Sequence, residues 1–207
     1  MAKGPTVFVI DDDASIRRAV ARLLKSAGHQ VEAFGSAEEF LRRPHYDGPG
    51  CLILDVKMPG QSGLDLQEVL AKEGYHLPII FVSGRSDISI SVKAMKGGAV
   101  DFLTKPFQNT VLLEAVRLSL AKDRHARSSR AEVQDVQQRL QTLTLREHEV
   151  LSLVVAGRLN KQIAYELNIS EKTVKVHRAR AMEKMRVDCV ADLVRLAEKV
   201  GISAAGA

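Results

Sequence analysis

Five short apolar runs, each followed by an amphipathic stretch, fill the first 120 residues and leave little choice of fold. The runs cover residues 6–11, 30–34, 51–55, 78–83 and 100–104. After the first run, Ile16, Val20, Leu23, Leu24 and Ala27 recur at helical spacing, and Gly28 supplies a stop. Ser36 and Glu39 have the spacing of a capping box and open a short helix. Residues 64–73 and 87–96 read as helices, and Asn109 can cap a further one carrying Val111, Leu112, Ala115, Val116 and Leu120. Strands alternating with helices imply an α/β domain: a five-stranded, doubly wound parallel sheet covered on both faces. The unbroken apolar run Cys51-Leu-Ile-Leu54 fits a strand buried on both sides. Chemistry in such sheets collects at the carboxyl ends of the strands. That rule singles out Asp11, Asp12, Asp55, Ser83 and Lys105.

The first and third strands end in acid, which crowds carboxylates at one sheet edge. Such a cluster is costly unless a cation neutralises it. A few hard oxygen donors suit Mg²⁺, which keeps several waters. Lys105 can bring an ammonium to the same edge and Ser83 a hydroxyl. Together these groups form a phosphoryl-accepting site in which metal and lysine neutralise the transferring group and an aspartate attacks.

Residues 122–141 contain no proline or glycine and can stay helical, a rise of roughly 30 Å over 20 residues. Val133, Val136, Leu140 and Leu143 fall at steps of three, four and three. This stripe suits either a short coiled-coil seam or a helix packed on its own domain. From Thr144 onward only short helices follow. Thr144 and Glu147 repeat the capping-box spacing, and Gly157 ends the helix they open. Residues 161–167 make a two-turn helix, Ser170 caps a longer one over 171–185, and residues 190–200 form a last amphipathic helix. Two short helices joined by about three residues, the second longer and basic, are the helix-turn-helix arrangement. The chain thus divides into 1–121, a helical linker 122–141, and an all-α part 142–207.

Charge supports that division. The formal charge is +5. Residues 1–120 hold 14 Lys and Arg against 14 Asp and Glu, so all of the excess lies beyond, 16 against 11. A neutral domain followed by a basic one suggests a partner with a polyanionic surface. The two cysteines, Cys51 and Cys189, are too few for a disulfide scaffold or a cysteine-rich zinc site. No stretch reaches the ~18 consecutive apolar residues of a membrane span. The apolar run Val7 to Ile10 stops at three aspartates, unlike a secretory signal, so a cytoplasmic protein without a membrane partner is expected.

The motifs Val9-Ile-Asp-Asp-Asp13, Leu54-Asp-Val-Lys-Met-Pro-Gly60, Val82-Ser-Gly84 and Thr104-Lys-Pro-Phe107 resemble the receiver domain of bacterial two-component response regulators over about residues 5–120. The resemblance implies that Asp55 is the phosphoacceptor. It implies that Asp12 and Asp55, with the backbone carbonyl of Lys57, coordinate Mg²⁺, Asp11 acting mainly through water. It further implies that Ser83 bonds the phosphoryl group after rearrangement, that Lys105 pairs with it, and that Lys105–Pro106 is a cis peptide. Phe102 matches a rotating aromatic switch; lacking a hydroxyl, it must work by packing. Ser83 stands where Thr is more usual.

Asn160-Lys-Gln-Ile-Ala-Tyr-Glu-Leu-Asn-Ile-Ser-Glu-Lys-Thr-Val-Lys-Val-His-Arg178, preceded by Leu143-Thr-Leu-Arg-Glu147, resembles the LuxR-type helix-turn-helix of the NarL/FixJ class over about residues 142–205. Leu145 replaces the usual Pro. Val174, Ala181 and Met185 should face the core, leaving a basic outer face. Lys175 and Val176 are the candidates for base contact in double-stranded promoter DNA. Lys161, Lys172, Thr173, His177, Arg178 and Arg180 are candidates for the phosphate backbone. The last helix either packs on the core or supplies a dimer contact.

The function implied is a phosphorylation-controlled transcription regulator, not an enzyme. Its partners would be a sensor histidine kinase, promoter DNA and RNA polymerase. A homodimer would form on phosphorylation or on DNA, and activation is the usual outcome in this branch. Two rivals differ in class. An aspartate-nucleophile phosphatase often carries a second Asp two residues after the nucleophile, and Lys57 stands there instead. A phosphorylation-dependent switch for a protein partner would show no sequence-specific duplex binding.

Overall fold

The computed structural model describes residues 4–84 and 88–202. The expected start of the fourth helix at Asp87, and the last residues of the helix-turn-helix resemblance, lie outside the described residues. The chain forms two compact units, Met1–Arg127 and Ser128–Ala207.

The first unit is a five-stranded parallel sheet. Its strands are β1 (Thr6–Ile10), β2 (Gln30–Phe34), β3 (Gly50–Asp55), β4 (Ile79–Ser83) and β5 (Asp101–Thr104). They lie in the order β2-β1-β3-β4-β5. The intervening helices are α1 (Ala14–Ser26), α2 (Ala37–Leu41), α3 (Gly63–Lys72) and α4 (Ile88–Lys96). Alternate strand residues divide between two cores. Phe8, Ile10, Leu52, Leu54 and Phe81 pack with Phe40 of α2, Leu66 and Leu70 of α3, and Ala94 of α4. Val7, Val9, Cys51, Ile53, Ile80 and Val82 pack with Val20 and Leu24 of α1 and with Leu112, Ala115 and Val116 beyond β5. All of β1, β3 and β4 is buried, which explains why those runs are apolar without alternation.

Helix ends follow the local sequence. Asp13 caps α1 by accepting from the amides of Ser15 and Ile16. Gly28, at φ +86°, turns the chain out of it. The Ser36–Glu39 pair closes only one side of its box: Ser36 Oγ accepts from Glu39 N at 3.2 Å, while Glu39 Oε2 takes the amide of Gly35 at 2.6 Å. Asn109 is the first residue of the next helix rather than its cap. That helix, α5, runs unbroken over Asn109–Gln141, 33 residues.

The second unit contains α6 (Leu145–Val155), α7 (Asn160–Glu166), α8 (Glu171–Met185) and α9 (Val190–Lys199). Its core joins Val150, Leu151, Val154, Ile163, Val174, Ala181, Met185, Leu193 and Ala197. Val136 is buried in the same core, with Leu140 and Leu143 packed against it. Three of the four apolar residues in the linker stripe are thus used within this unit. The apolar face of α9 is spent the same way, on Leu193 and Ala197.

One glycine sets how closely α3 approaches the strand that ends in Asp55. A Cβ at Gly63 would lie 2.2 Å from the Asp55 carbonyl oxygen and 3.1 Å from Leu54 Cγ. The Gly63 amide meanwhile donates to the Val56 carbonyl at 3.0 Å. Gly63→Ala should therefore cost about 1–3 kcal/mol in urea unfolding. Gly84→Ala, whose Cβ meets nothing within 4 Å among the described residues, should change stability by less than about 0.5 kcal/mol. Equal effects would contradict the steric account.

Candidate functional site

Strand register assembles the acidic edge. Ile10 pairs with Leu54, so Asp11 and Asp55 leave neighbouring strands side by side. Asp55 pairs with Val82, and Ser83 with Thr104. Lys105 follows β5, its amide donating to the Ser83 carbonyl at 2.7 Å. Lys105 Nζ lies 2.6 Å from Asp11 Oδ2 and 2.7 Å from Asp55 Oδ1. The two carboxylates are nearly sealed, 2% and 7% exposed, with the lysine at 16%. Asp11 Oδ1 accepts the amide of Asp13 at 2.9 Å, and Asp55 Oδ2 that of Lys57 at 2.8 Å.

These contacts explain the direction of each proton affinity. Burial pushes the Asp55 carboxyl above the ordinary carboxylate range; the Lys105 ammonium pulls it back, and the neighbouring Asp11 charge adds to the rise. Burial opposes the charge on Lys105, but its hydrogen bonds to Asp11 and Asp55 outweigh that cost and hold its pKa above the usual lysine value. The result is a base kept protonated beside a carboxylate made unusually basic.

Of the other residues expected here, Ser83 is buried at the end of β4. Phe102 is half-buried on β5, its ring 6.4 Å from that of Phe81, its register partner. Lys105–Pro106 is cis. Asp12 is exposed. Among the described residues, no three His, Cys, Asp or Glu side chains form a ready-made metal cluster. Asp11 and Asp55 share the lysine instead. The donor chemistry nonetheless fits a hard cation: three carboxylates in two neighbouring strand ends, offset by one ammonium, with oxygen donors throughout.

Arg17 is a supporting residue that the motifs do not mark. Its guanidinium donates to the carbonyls of Asp11 at 2.6 Å and Asp12 at 3.3 Å, holding the acidic loop from α1. Its place one turn into the helix after three aspartates is the only signal the sequence offers.

In the second unit, Ser170 Oγ caps α8 by accepting from Thr173 N at 3.1 Å. Val174, Ala181 and Met185 turn inward, as their spacing requires. Lys172, Lys175 and Arg180 are exposed on α8, and Lys161 on α7; their side chains have no hydrogen-bond or ion-pair partner among the described residues. Val176 is 42% exposed, an apolar group on a basic face. Thr173 and His177 are half-buried. His177 Nδ1 is sealed from solvent with no hydrogen-bond partner among the described residues. Arg178 already has a bond, to Asn160 Oδ1 at 3.1 Å, which ties α8 to the start of α7.

The second capping box closes fully: Thr144 Oγ1 accepts from Glu147 N at 3.3 Å, and Glu147 Oε2 accepts from Thr144 N at 2.9 Å. The same carboxylate, 3% exposed, also takes Lys184 of α8 at 2.5 Å. Lys184 reaches on to the Thr142 carbonyl at 3.0 Å. This cross-link fixes the far end of the basic helix. A helix-cap spacing marks Glu147 in sequence, but nothing there marks its partner.

Comparison with known proteins agrees with both halves. Residues 7–117 match the response regulator receiver domain family, and residues 141–197 match the bacterial regulatory proteins of the luxR family. Nodulation protein W of Bradyrhizobium diazoefficiens is 48% identical over 96% of this chain and 87% of its own length. The transcriptional regulatory protein FixJ of Rhizobium meliloti is 42% identical over 93% and 94%. Among solved structures, the response regulator StyR superposes with a TM-score of 0.86 at 46% identity, over 95% of this chain and all of that one. Full-length FixJ from B. japonicum gives 0.58 at 38% identity, over 98% and 99%.

The Glu147–Lys184 bond has a pH signature. Lys184, then the Thr144 amide, hold the Glu147 carboxyl down to about 2, below its ordinary 4.5. The stabilisation is therefore complete above the unfolded value and is lost as pH falls from about 4.5 through about 2. Lys184→Met should cost about 1–3 kcal/mol at neutral pH, by leaving a buried carboxylate short of its partner. Glu147→Gln should flatten the acid dependence, followed through the amide signals of α6 and α8 in urea. An unchanged acid slope in Glu147→Gln would contradict this assignment.

Proposed function

The chain belongs to the response regulators that join a receiver domain to a LuxR-type DNA-binding domain, and on that footing we propose that Asp55 receives a phosphoryl group and thereby controls promoter binding by α8. The observation that carries the reading is the Lys105 ammonium bridging Asp11 and Asp55 at 2.6 and 2.7 Å. The family consists of DNA-binding transcription regulators rather than enzymes, with a sensor kinase as the partner that supplies the phosphoryl group.

An oxygen of the Asp55 carboxylate attacks the phosphorus of a kinase phosphohistidine. The new P–O bond forms as the P–N bond breaks, and the imidazole leaves with the electron pair. Burial favours this attack by making the carboxylate more basic. Lys105 meets the oxygens of the arriving group, and Ser83, buried at the next strand end, offers its hydroxyl. Receiver domains generally bind Mg²⁺; here Asp11, Asp12, Asp55 and the Lys57 carbonyl would hold it, and it would neutralise phosphoryl charge that one lysine cannot offset. Phe102, packed on Phe81, follows the Ser83 end of β4 by packing alone.

The output reading is supported by the free cations of α7 and α8. Lys175 and Val176 reach base edges, whereas Lys161, Lys172, Thr173, His177 and Arg180 meet phosphates. Arg178 contacts phosphate while keeping α7 in place. A homodimer on activation is supported by α4, which leaves Ile88, Val92 and Met95 on the surface at steps of four and three, 80%, 45% and 46% exposed. RNA polymerase is the further partner, as befits an activator working in the cytoplasm.

Two experiments test the halves separately. Asp55→Asn should abolish labelling by a small phosphodonor in Mg²⁺; persistent labelling refutes the assignment. Lys175→Ala should weaken binding to a specific promoter by about 1–3 kcal/mol while leaving random duplex nearly unaffected. Equal losses on both duplexes would reassign Lys175 to the backbone.

A further inference from the structure

The far end of the phosphoacceptor strand carries a second buried charge that the reaction does not use. Asp123 lies on α5, past the last turn that packs on the sheet, and is 1% exposed. Its Oδ2 accepts the amide of Gly50 at 2.9 Å and Arg127 Nε at 2.8 Å. Arg127 Nη1 continues to the Asp47 carbonyl at 2.5 Å. Gly50 is the first residue of β3, and Asp55 is its last. One strand of six residues, about 17 Å long, therefore has the phosphoacceptor at one end and a helix-borne carboxylate at the other.

The contact is specific. Gly50 is buried, so its amide needs an acceptor from the protein. A Cβ at position 50 would fall 2.4 Å from the Thr6 carbonyl oxygen, so only glycine lets β3 begin there. The arginine and the carboxylate are one helical turn apart, which pairs them on a single face of α5. The contact is also incomplete. Asp123 Oδ1 is buried without a hydrogen-bond partner among the described residues, which leaves half of a sealed carboxylate unsatisfied. A buried polar group left in that condition weakens the arrangement that holds it and makes release easier.

We propose that Asp123 and Arg127 are positioning residues that anchor α5 to the base of β3, so that the helix leading out of the receiver responds to the state of the strand that ends in Asp55. Residues 122–127 then belong to the switch, and the stretch that begins at Ser128 receives its output. Further along, Arg139 Nη1 donates to the Met185 carbonyl at 3.0 Å, at the C-terminal end of α8. Asp135 pairs with the same arginine. The second half of α5 is thereby tied to the end of the DNA-reading helix, within its own unit. This inference rests on the reading of Asp55 as phosphoacceptor.

The test uses the full chain with beryllofluoride as the phosphoryl mimic, read by hydrogen exchange and by DNA binding. In the native protein, beryllofluoride should change exchange both near Ser83 and in residues 128–141. In Arg127→Ala the change near Ser83 should persist, while that in 128–141 disappears. The ratio of DNA affinities with and without the mimic should fall about 5-fold or more toward one. Arg127→Lys, which keeps the charge, should restore part of the ratio. Phosphorylation rates from a small donor should stay within about 2-fold of native, a readout that general destabilisation would not spare. Asp123→Asn should behave like Arg127→Ala, and because Arg127 is one-third exposed the arginine variants remain informative if the buried substitution fails to fold. An unaltered response of residues 128–141 in Arg127→Ala overturns the proposal, as does a native protein in which that segment never responds. If even the region of Ser83 fails to respond, the phosphoacceptor reading itself is contradicted, and the anchor with it.

Discussion

A lysine ammonium held between two buried carboxylates is the constraint from which the chemistry of the first unit follows. Asp11 and Asp55 come from adjacent strands whose register gives them no freedom to separate. Two ionised carboxylates this sealed repel each other and lose solvation, and Lys105 is the cation that makes the pair tolerable. One ammonium against two carboxylates already leaves the pair one charge short of neutral, and Asp12 adds a further negative charge on the exposed side. A site with that deficit has the charge and the oxygen donors that suit the Mg²⁺ generally bound by receiver domains. On the proposed reading, a phosphoryl group on Asp55 changes the charge that Lys105 must answer; Ser83 ends the neighbouring strand β4, and Phe102 lies near the start of β5 beside Phe81.

The second unit solves an electrostatic problem of its own with a similar device. Glu147 is buried at a helix start, where its carboxylate closes a capping box and receives Lys184 from the recognition helix. That bond occupies the Lys184 ammonium, and Asn160 occupies part of the Arg178 guanidinium. The cations that remain, Lys161, Lys172, Lys175 and Arg180, have no partner among the described residues, which is what an interface for a polyanion requires. The cations of this helix thus divide into two sets, Arg178 and Lys184 held and Lys172, Lys175 and Arg180 not, told apart by whether a carboxylate or amide oxygen of the same unit lies within reach.

Much of this was legible in the sequence because the signals are local. Unbroken apolar runs mark strands buried on both faces, and their acidic ends mark the site, since burial on both sides leaves only the strand tip for a charged group. Ser170 as a cap and the inward spacing of Val174, Ala181 and Met185 follow from helix geometry alone. Less legible were contacts between residues distant in sequence. Lys184 on Glu147, and Asp123 on Gly50, bridge 37 and 73 positions and leave no periodic trace. The segment 122–141 reads as one uninterrupted helix, as it is, but nothing in its composition tells that Asp123 and Arg127 bind the first unit while Val136 enters the core of the second. Gly63 was equally silent, because its constraint is the approach of another backbone rather than a turn.

The central claim is that the carboxylate paired with Lys105 at the end of β3 is the one that carries the phosphoryl group. Reducing the phosphorylated full-length protein with borohydride converts an acyl phosphate to the alcohol, and peptide mass spectrometry then locates the converted residue. The account predicts homoserine at position 55 and unmodified aspartate at 11, 12 and 13. Conversion at one of those three positions, with Asp55 intact, would contradict it.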